Sequence, residues 1–189
     1  GKYPGKIPDG TRGINPDTGQ AAPAYNGDPQ YANVDIIGGK DGDWEGSYWL
    51  DIRRLDILGP IIKARMQMCK NKGFDAIEPD EQNVENNKQE AGFPITVQDQ
   101  LTYNKWLADT AHTLGLSIGL KSDIDHAAQS VQWYDWNLTE ECYQYNECNL
   151  LKPFQDANKA TWIVEYATTP NCTNANTNHF NAIKRDLDL

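Results

Sequence analysis

Two acidic side chains, Asp80 and Glu140, lie at or near the ends of short β-like runs in the middle of the chain. The first closes the run at residues 74–80, and the second lies in residues 133–142. When strands and helices alternate, ligands gather beyond the carboxyl ends of the strands. Two carboxyl groups placed there are the minimum equipment for glycoside hydrolysis, with one as acid and the other as nucleophile or base. The two residues therefore form a candidate catalytic pair.

Polar side chains end four predicted strands in succession. They are Glu78 and Asp80, Lys121 and Asp123, Glu140 and Glu141, and Glu165 and Tyr166. The ordinary interpretation of any one such charge is a helix cap or a solvated strand end, but four in succession are harder to explain in that way. Carboxyl groups gathered in a cleft raise one another's pKa, which keeps one of a pair protonated as a general acid. Lys121 between them could offset the repulsion and hold the other carboxyl group ionised.

The elements that must position these residues alternate between strand and helix. The predicted strands cover residues 74–78, 116–121, 133–138 and 160–165. The predicted helices cover residues 55–72, 124–130, 147–158 and 178–186, and a further helix begins at Thr96 with Asp99 in a loose capping box. A glycine-rich turn is predicted at residues 38–42. Such alternation indicates parallel strands joined by right-handed crossovers, in a barrel or an open sheet.

Charge and composition exclude several classes of function. The net charge of −10 argues against a nucleic-acid partner, which requires a basic face, and favours a neutral or cationic one. No apolar run approaches the roughly 20 residues that a membrane span needs. No glycine-rich phosphate loop indicates a nucleotide, and the cysteine spacing fits no zinc pattern. We therefore expect neither a cofactor nor a metal.

The four cysteines allow three disulfide pairings, and the short loop between Cys142 and Cys148 makes that pair the favoured one. Asn137 and Asn171 each begin a glycosylation sequon. Asn137 falls inside a predicted strand, where a glycan would not fit, so Asn171 is the credible acceptor. These features favour a secreted, extracellular protein.

The first 30 residues are rich in Gly, Pro, Asp and Asn without apolar periodicity, which predicts an extended arm at 1–30 before a single domain at 31–189. The sequence starts at Gly1 without an initiator Met or a signal-peptide core, so we expect a processed product or a fragment.

Several segments resemble glycoside hydrolase family 114, the endo-α-1,4-polygalactosaminidases. They are WLDI at 49–52, ILGPIIKARMQMCKNKGFDAIEPD at 57–80, GFPIT at 92–96, DQLTYNKWLADTAH at 99–112, GLSIGLKSD at 115–123, ECYQYNEC at 141–148 and VEY at 164–166. The resemblance implies a TIM-barrel-like fold and an enzyme that cuts α-1,4-linked galactosamine polymers internally without a metal. It implies Asp80 and Glu140 as the paired acids, with Lys121, Asp123 and Tyr166 lining the cleft, and Glu78 lies beside them. A partly deacetylated polymer is cationic, so an acidic protein would attract it.

The chain also departs from the family. Five residues stand where the family usually has other polar residues, namely Ser47, Tyr48, Glu81, Ser122 and Thr139. Family members carry further sequence before the equivalent of Tyr31, including the first barrel strands, so an incomplete barrel is predicted. Open sheet edges invite pairing with another chain. The alternative hypothesis is therefore an inactive structural or glycan-binding subunit that assembles into an extracellular oligomer or filament through these edges and the arm.

Overall fold

A computed structural model of the chain describes residues 36–40, 48–80 and 83–186. The predicted arm at 1–30 lies outside the described residues. The chain divides into two compact units, one comprising residues up to Arg65 together with Val84–Tyr103, and the other comprising Met66–Asn83 and the chain from Asn104 onwards. All six candidate site residues belong to the second unit.

The described helices and strands alternate along most of the chain. In chain order they are β1 (Ile37–Lys40), β2 (Tyr48–Leu50), α1 (Leu55–Asn71), β3 (Ala76–Ile77), α2 (Lys88–Ala91), α3 (Val97–Thr113), β4 (Ser117–Lys121), α4 (Ala127–Ser130), β5 (Trp136–Glu140), α5 (Lys152–Asp156), β6 (Thr161–Glu165), α6 (Cys172–Thr177) and β7 (Asn181–Lys184). Single 3₁₀ turns at Ile124–His126 and Cys148–Leu151 precede α4 and α5.

The second unit is built on a five-stranded sheet in the order β3-β4-β5-β6-β7, and every neighbouring pair is parallel. Strands that follow one another along the chain are therefore neighbours in space, as βαβ units require. Among the described residues β3 and β7 do not pair with each other, so the sheet does not close into a barrel. The parallel α/β class predicted from the alternation of elements is confirmed.

One face of this sheet carries a pair of indoles. Gly119 pairs in register with Trp136, and a Cβ atom on Gly119 would lie 2.2 Å from the Trp136 ring. Glycine therefore lets the ring lie against the neighbouring strand. The Trp136 ring packs edge-on against that of Trp162, with centroids 4.9 Å apart, and its Nε1 donates to Ser117 Oγ at 3.0 Å. These contacts fix the aromatic side chains on this face.

The opposite face of the sheet carries the apolar core of the second unit. Ile118 and Leu120 of β4 and Ile163 of β6 are fully buried there. Ile163 belongs to a cluster that also contains Ile124, Cys142, Leu151, Ala175 and Phe180. Removing one such aliphatic side chain from water contributes about 1.5–3 kcal/mol. The elements after β4, β5 and β6 thus pack on the sheet through this cluster.

The first unit contains the antiparallel pair β1–β2, and here one expectation is wrong. Gly38 and Gly39 were predicted to lie in a turn, but they lie within β1. A Cβ atom on Gly38 would lie 2.1 Å from the carbonyl oxygen of Ala91, and one on Gly39 would lie 1.9 Å from that of Glu90. The glycines therefore permit a close approach between the backbones of β1 and α2, and no turn is needed to explain them.

Two long helices are confirmed, whereas the last predicted helix is wrong. At the start of α3, the Thr96 N–H donates to Asp99 Oδ2 at 2.9 Å and the Asp99 N–H donates to Thr96 Oγ1 at 3.2 Å, which is a reciprocal capping box. Residues 178–186 were predicted to be helical, but β7 occupies 181–184 and the helix lies earlier, at α6. The backbone of this polar segment pairs with β6, and such pairing does not depend on an apolar pattern.

Candidate active site

The parallel register brings the candidate residues to one edge of the sheet. Lys121 pairs with Leu138, and Glu140 lies two residues further along β5. Glu140 in turn pairs with Val164, and Tyr166 follows two residues later. Because side chains two residues apart share a face, Lys121, Glu140 and Tyr166 project from the same side of the sheet. This is also the side that carries Trp136 and Trp162.

Lys121 connects the two candidate catalytic carboxylates. Its Nζ lies 2.8 Å from Asp80 Oδ1 and 2.9 Å from Glu140 Oε2. The Lys121 side chain is only 10% exposed, whereas those of Asp80 and Glu140 are 60% and 35% exposed. A nearly buried ammonium group thus holds two carboxylates that solvent still reaches.

The protonation states of the donors follow from these contacts. Burial lowers the pKa of Lys121, but its hydrogen bonds to Asp80 and Glu140 more than compensate, so that its pKa lies well above the usual range. Tyr166 donates its hydroxyl to Glu140 Oε1, and this hydrogen bond, together with desolvation, raises the pKa of Tyr166 to about 12. Both groups therefore remain protonated donors to Glu140 near neutral pH.

The shared ammonium also limits the separation of the carboxylates. The two oxygens that contact Lys121 are at most about 5.7 Å apart, the sum of the two contact distances, which compares with about 5–5.5 Å in retaining glycosidases and about 6.5–9.5 Å in inverting ones. The spacing of these two oxygens is therefore compatible with the retaining arrangement and shorter than the inverting one.

Glu78 follows β3 and supplies a third carboxyl group. Although part of the residue reaches solvent, desolvation raises the pKa of its carboxyl group. Lys121 lowers this pKa, while Asp80 and Glu140 raise it. The interaction with all three residues puts Glu78 in the same electrostatic cluster, hereafter the carboxylate cluster: Glu78, Asp80, Lys121, Glu140 and Tyr166.

Asp123 lies apart from this cluster, although it follows Lys121 by only two residues. Its buried carboxylate accepts from Asn104 Nδ2 at 2.6 Å and lies 2.7 Å from His126 Nδ1. Ser122 between them has a positive φ of 52°, which turns the chain at the end of β4. Sequence reasoning missed Asn104 and His126. The position of His126 three residues after Asp123 is a weak signal for that contact, and nothing in the sequence indicates Asn104.

Cys142 and Cys148 form a disulfide in the segment after β5. Asn171 is exposed and precedes α6, where its Oδ1 accepts from the Asn174 N–H at 3.0 Å. By contrast, Asn137 is fully buried and donates to the Leu120 carbonyl at 2.8 Å. Asn171 is thus the more accessible of the two sequon asparagines.

Glu165 is a buried acid for which sequence reasoning found no specific role. Its Oε1 accepts from the Tyr143 N–H at 2.8 Å, which fixes the start of the disulfide loop to the end of β6. It alternates with Tyr166 and therefore points to the opposite face of the sheet. No group of three or more acidic, His or Cys residues in the described part of the chain is arranged to hold a metal ion.

An open parallel α/β sheet with carboxylates beyond its strand ends is the arrangement of TIM-barrel-like glycosidases. The profile of glycoside-hydrolase family GH114 matches residues 17–189, and the chain belongs to that family. No curated protein matches at a significant level. No helix among the described residues is long and apolar enough to cross a membrane.

Solved structures show the same architecture. The crystal structure of Aspergillus fumigatus Ega3 in complex with galactosamine is 25% identical with a TM-score of 0.71, covering 82% of this chain and 66% of Ega3. The chain therefore spans just under two thirds of the length of Ega3. The glycoside hydrolase domain of Pseudomonas aeruginosa PelA is 10% identical with a TM-score of 0.53, covering 79% of this chain and 68% of that domain, which shows the fold alone.

Proposed function

We propose that the protein is a secreted glycoside hydrolase that cleaves galactosamine-containing polysaccharide with Asp80 and Glu140. The observation that carries the proposal is the bridge from Lys121 to both carboxylates. Membership of GH114 and the similarity to a structure with bound galactosamine support the reaction class and the sugar.

In the proposed reaction Glu140 protonates the leaving oxygen, and Asp80 acts as nucleophile or base. Lys121 contacts both groups, so protonation of Glu140 requires that its hydrogen bond with Lys121 be exchanged while Asp80 stays ionised. The more exposed Asp80 has the freer approach to substrate. The short separation of the two oxygens supports a retaining double displacement, in which Asp80 forms a covalent glycosyl intermediate that water then hydrolyses.

The remaining candidate residues would act on binding. A galactosamine unit carries an ammonium group at neutral pH, and Glu78 and Asp80 offer carboxyl groups to it. The net charge of −10 would concentrate a cationic polymer around the protein at low ionic strength. Tyr166 would hold Glu140 in position. Asp123 would act from behind the sheet edge, because its carboxylate is bonded to Asn104 and His126.

The test is release of oligosaccharides from partly deacetylated polygalactosamine. We expect release by the unmodified chain between pH 4 and 8, and a fall of at least about 10²-fold in Glu140→Gln, because general acid–base groups contribute on that scale. Glu141→Gln is the matched control, since it changes the adjacent acid and should retain activity. No release at any of these pH values would refute the proposed hydrolysis.

A second candidate function is an inactive subunit that assembles through its sheet edges. The open sheet favours it, since β3 pairs with β4 through two residues and β3 and β7 do not pair with each other. We expect such a subunit to form oligomers or filaments, which light scattering and electron microscopy would detect. A strictly monomeric protein that releases oligosaccharides would rule this candidate out.

The proposed extracellular location rests on the disulfide and on Asn171. A Cys142–Cys148 bridge persists in oxidising compartments, and an exposed sequon asparagine is available for glycosylation there. Mass spectrometry of the protein from its natural source would test both modifications.

A further inference from the structure

The second unit contains a cavity of about 460 Å³ that none of the carboxylate cluster lines. It lies between the disulfide loop, α5 and α6. Six of its eleven lining residues carry carboxamides, namely Asn146, Asn149, Gln155, Asn171, Asn174 and Asn178. Its volume falls in the range of about 300–1,000 Å³ that is typical of small-molecule sites.

Hydrogen bonds hold much of the cavity wall in place. The Tyr143 hydroxyl donates to Asn174 Oδ1 at 3.0 Å, and Asn178 Nδ2 donates to the Asn174 carbonyl at 2.8 Å. Gln155 Nε2 donates to Asn178 Oδ1 at 3.3 Å. These bonds orient one side of the cavity before any ligand arrives, which lowers the entropic cost of binding.

Two other carboxamides remain available to a ligand. Within the described part of the chain, the side chains of Asn146 and Asn149 make no hydrogen bond, and both residues are exposed. Each offers two N–H donors and a carbonyl acceptor. Neighbouring hydroxyl groups of a sugar present the complementary set of donors and acceptors.

The charges of the lining indicate an uncharged ligand. None of the lining residues is acidic, and the one cation, Lys152, pairs with Asp156 at 2.5 Å. A galactosamine ammonium group would find no counter-charge among these residues. Phe180 and the Cys142–Cys148 bridge supply apolar surface, which suits the methyl group of an acetamide or the face of a sugar ring.

From this lining we propose that the carboxamide cavity binds a neutral N-acetylated hexosamine unit of a polysaccharide. The inference rests on the proposed function for its polymer, a partly acetylated one. Acetylated units would be held in this cavity while deacetylated, cationic units meet the carboxylate cluster. The two sites would thereby select chains that contain both kinds of unit.

The test measures binding without hydrolysis. In Glu140→Gln protein carrying Thr173→Ala, which removes the sequon at Asn171, an N-acetylgalactosamine oligosaccharide is titrated and followed by calorimetry and by NMR shifts. We expect saturable binding that shifts the cavity residues. In the same protein with Asn146→Gly and Asn149→Ala, the affinity should fall at least about tenfold, corresponding to about 1.4 kcal/mol. Glycine suits position 146 because its φ is +57°.

Gln144→Ala is the matched control, because Gln144 is an exposed amide of the same loop that does not line the cavity, and this variant should bind normally. The proposal is overturned if the acetylated oligosaccharide does not bind, or if the double variant binds it unchanged. Since binding is measured in a protein that cannot hydrolyse, these outcomes are independent of whether the unmodified chain releases oligosaccharides.

Discussion

Lys121 and Asp123 lie two residues apart at the end of β4, yet they belong to two ionic clusters of opposite character. Lys121 holds two carboxylates that remain 35–60% exposed, so a substrate can reach them and exchange hydrogen bonds with them. Asp123 is sealed from solvent and bonded to Asn104 and His126. The difference indicates that the first cluster is suited to binding and chemistry, while the second stabilises the fold that positions it.

The largest effect is expected from Asp123→Ala. Removing one partner of a buried, hydrogen-bonded charge network leaves the other polar groups without a partner, and such changes cost about 3–5 kcal/mol of unfolding free energy. Denaturant unfolding followed by tryptophan fluorescence measures the loss. Asp109→Ala is the control, because its ion pair with Lys105 is exposed and should contribute less than about 0.5 kcal/mol. Equal losses in the two variants would contradict the distinction between the clusters.

The next largest effect is expected from Lys121→Met, and it should appear in activity. Methionine fills a similar volume, but the two carboxylates lose their common ammonium and repel each other. We expect kcat/KM for polygalactosamine to fall about 10²-fold, or about 2.7 kcal/mol, with the unfolding free energy changing less than in Asp123→Ala. Lys121→Arg, which keeps the charge, should retain more activity. If unfolding free energy fell and activity per folded molecule did not, Lys121 would belong with Asp123 as a structural residue.

The smallest effect is expected from Glu78→Gln, in the pH dependence of stability. Desolvation raises the pKa of Glu78 above its ordinary value of 4.5, so the folded chain binds this proton more tightly than the unfolded chain does. Its contribution to stability is therefore present below pH 4.5 and is lost as the pH rises through the raised pKa. Glutamine cannot ionise, so the variant should gain stability relative to the unmodified chain across that interval. A difference that does not change with pH would contradict this account.

The parallel sheet could be predicted because β4, β5 and β6 coincide with apolar runs that follow helices. The segment of β7 could not, since its residues are mostly exposed and its pairing with β6 uses the backbone. At the site, the positions of Lys121 and Glu140 follow from strand ends alone. The burial of Asp123 depends on the positive φ of Ser122, a conformation that non-glycine residues rarely adopt and that the sequence does not reveal.

The edge-on packing of Trp136 and Trp162 has a consequence for observing this protein. Two indoles at 4.9 Å couple their electronic transitions, so they should produce a circular-dichroism couplet that neither ring gives alone. The couplet arises from adjacent strands, on the face that carries Lys121 and Glu140. Its loss during unfolding would mark separation of β5 from β6 optically, and a change in it during titration with an oligosaccharide would report on the face of the sheet that bears the carboxylates.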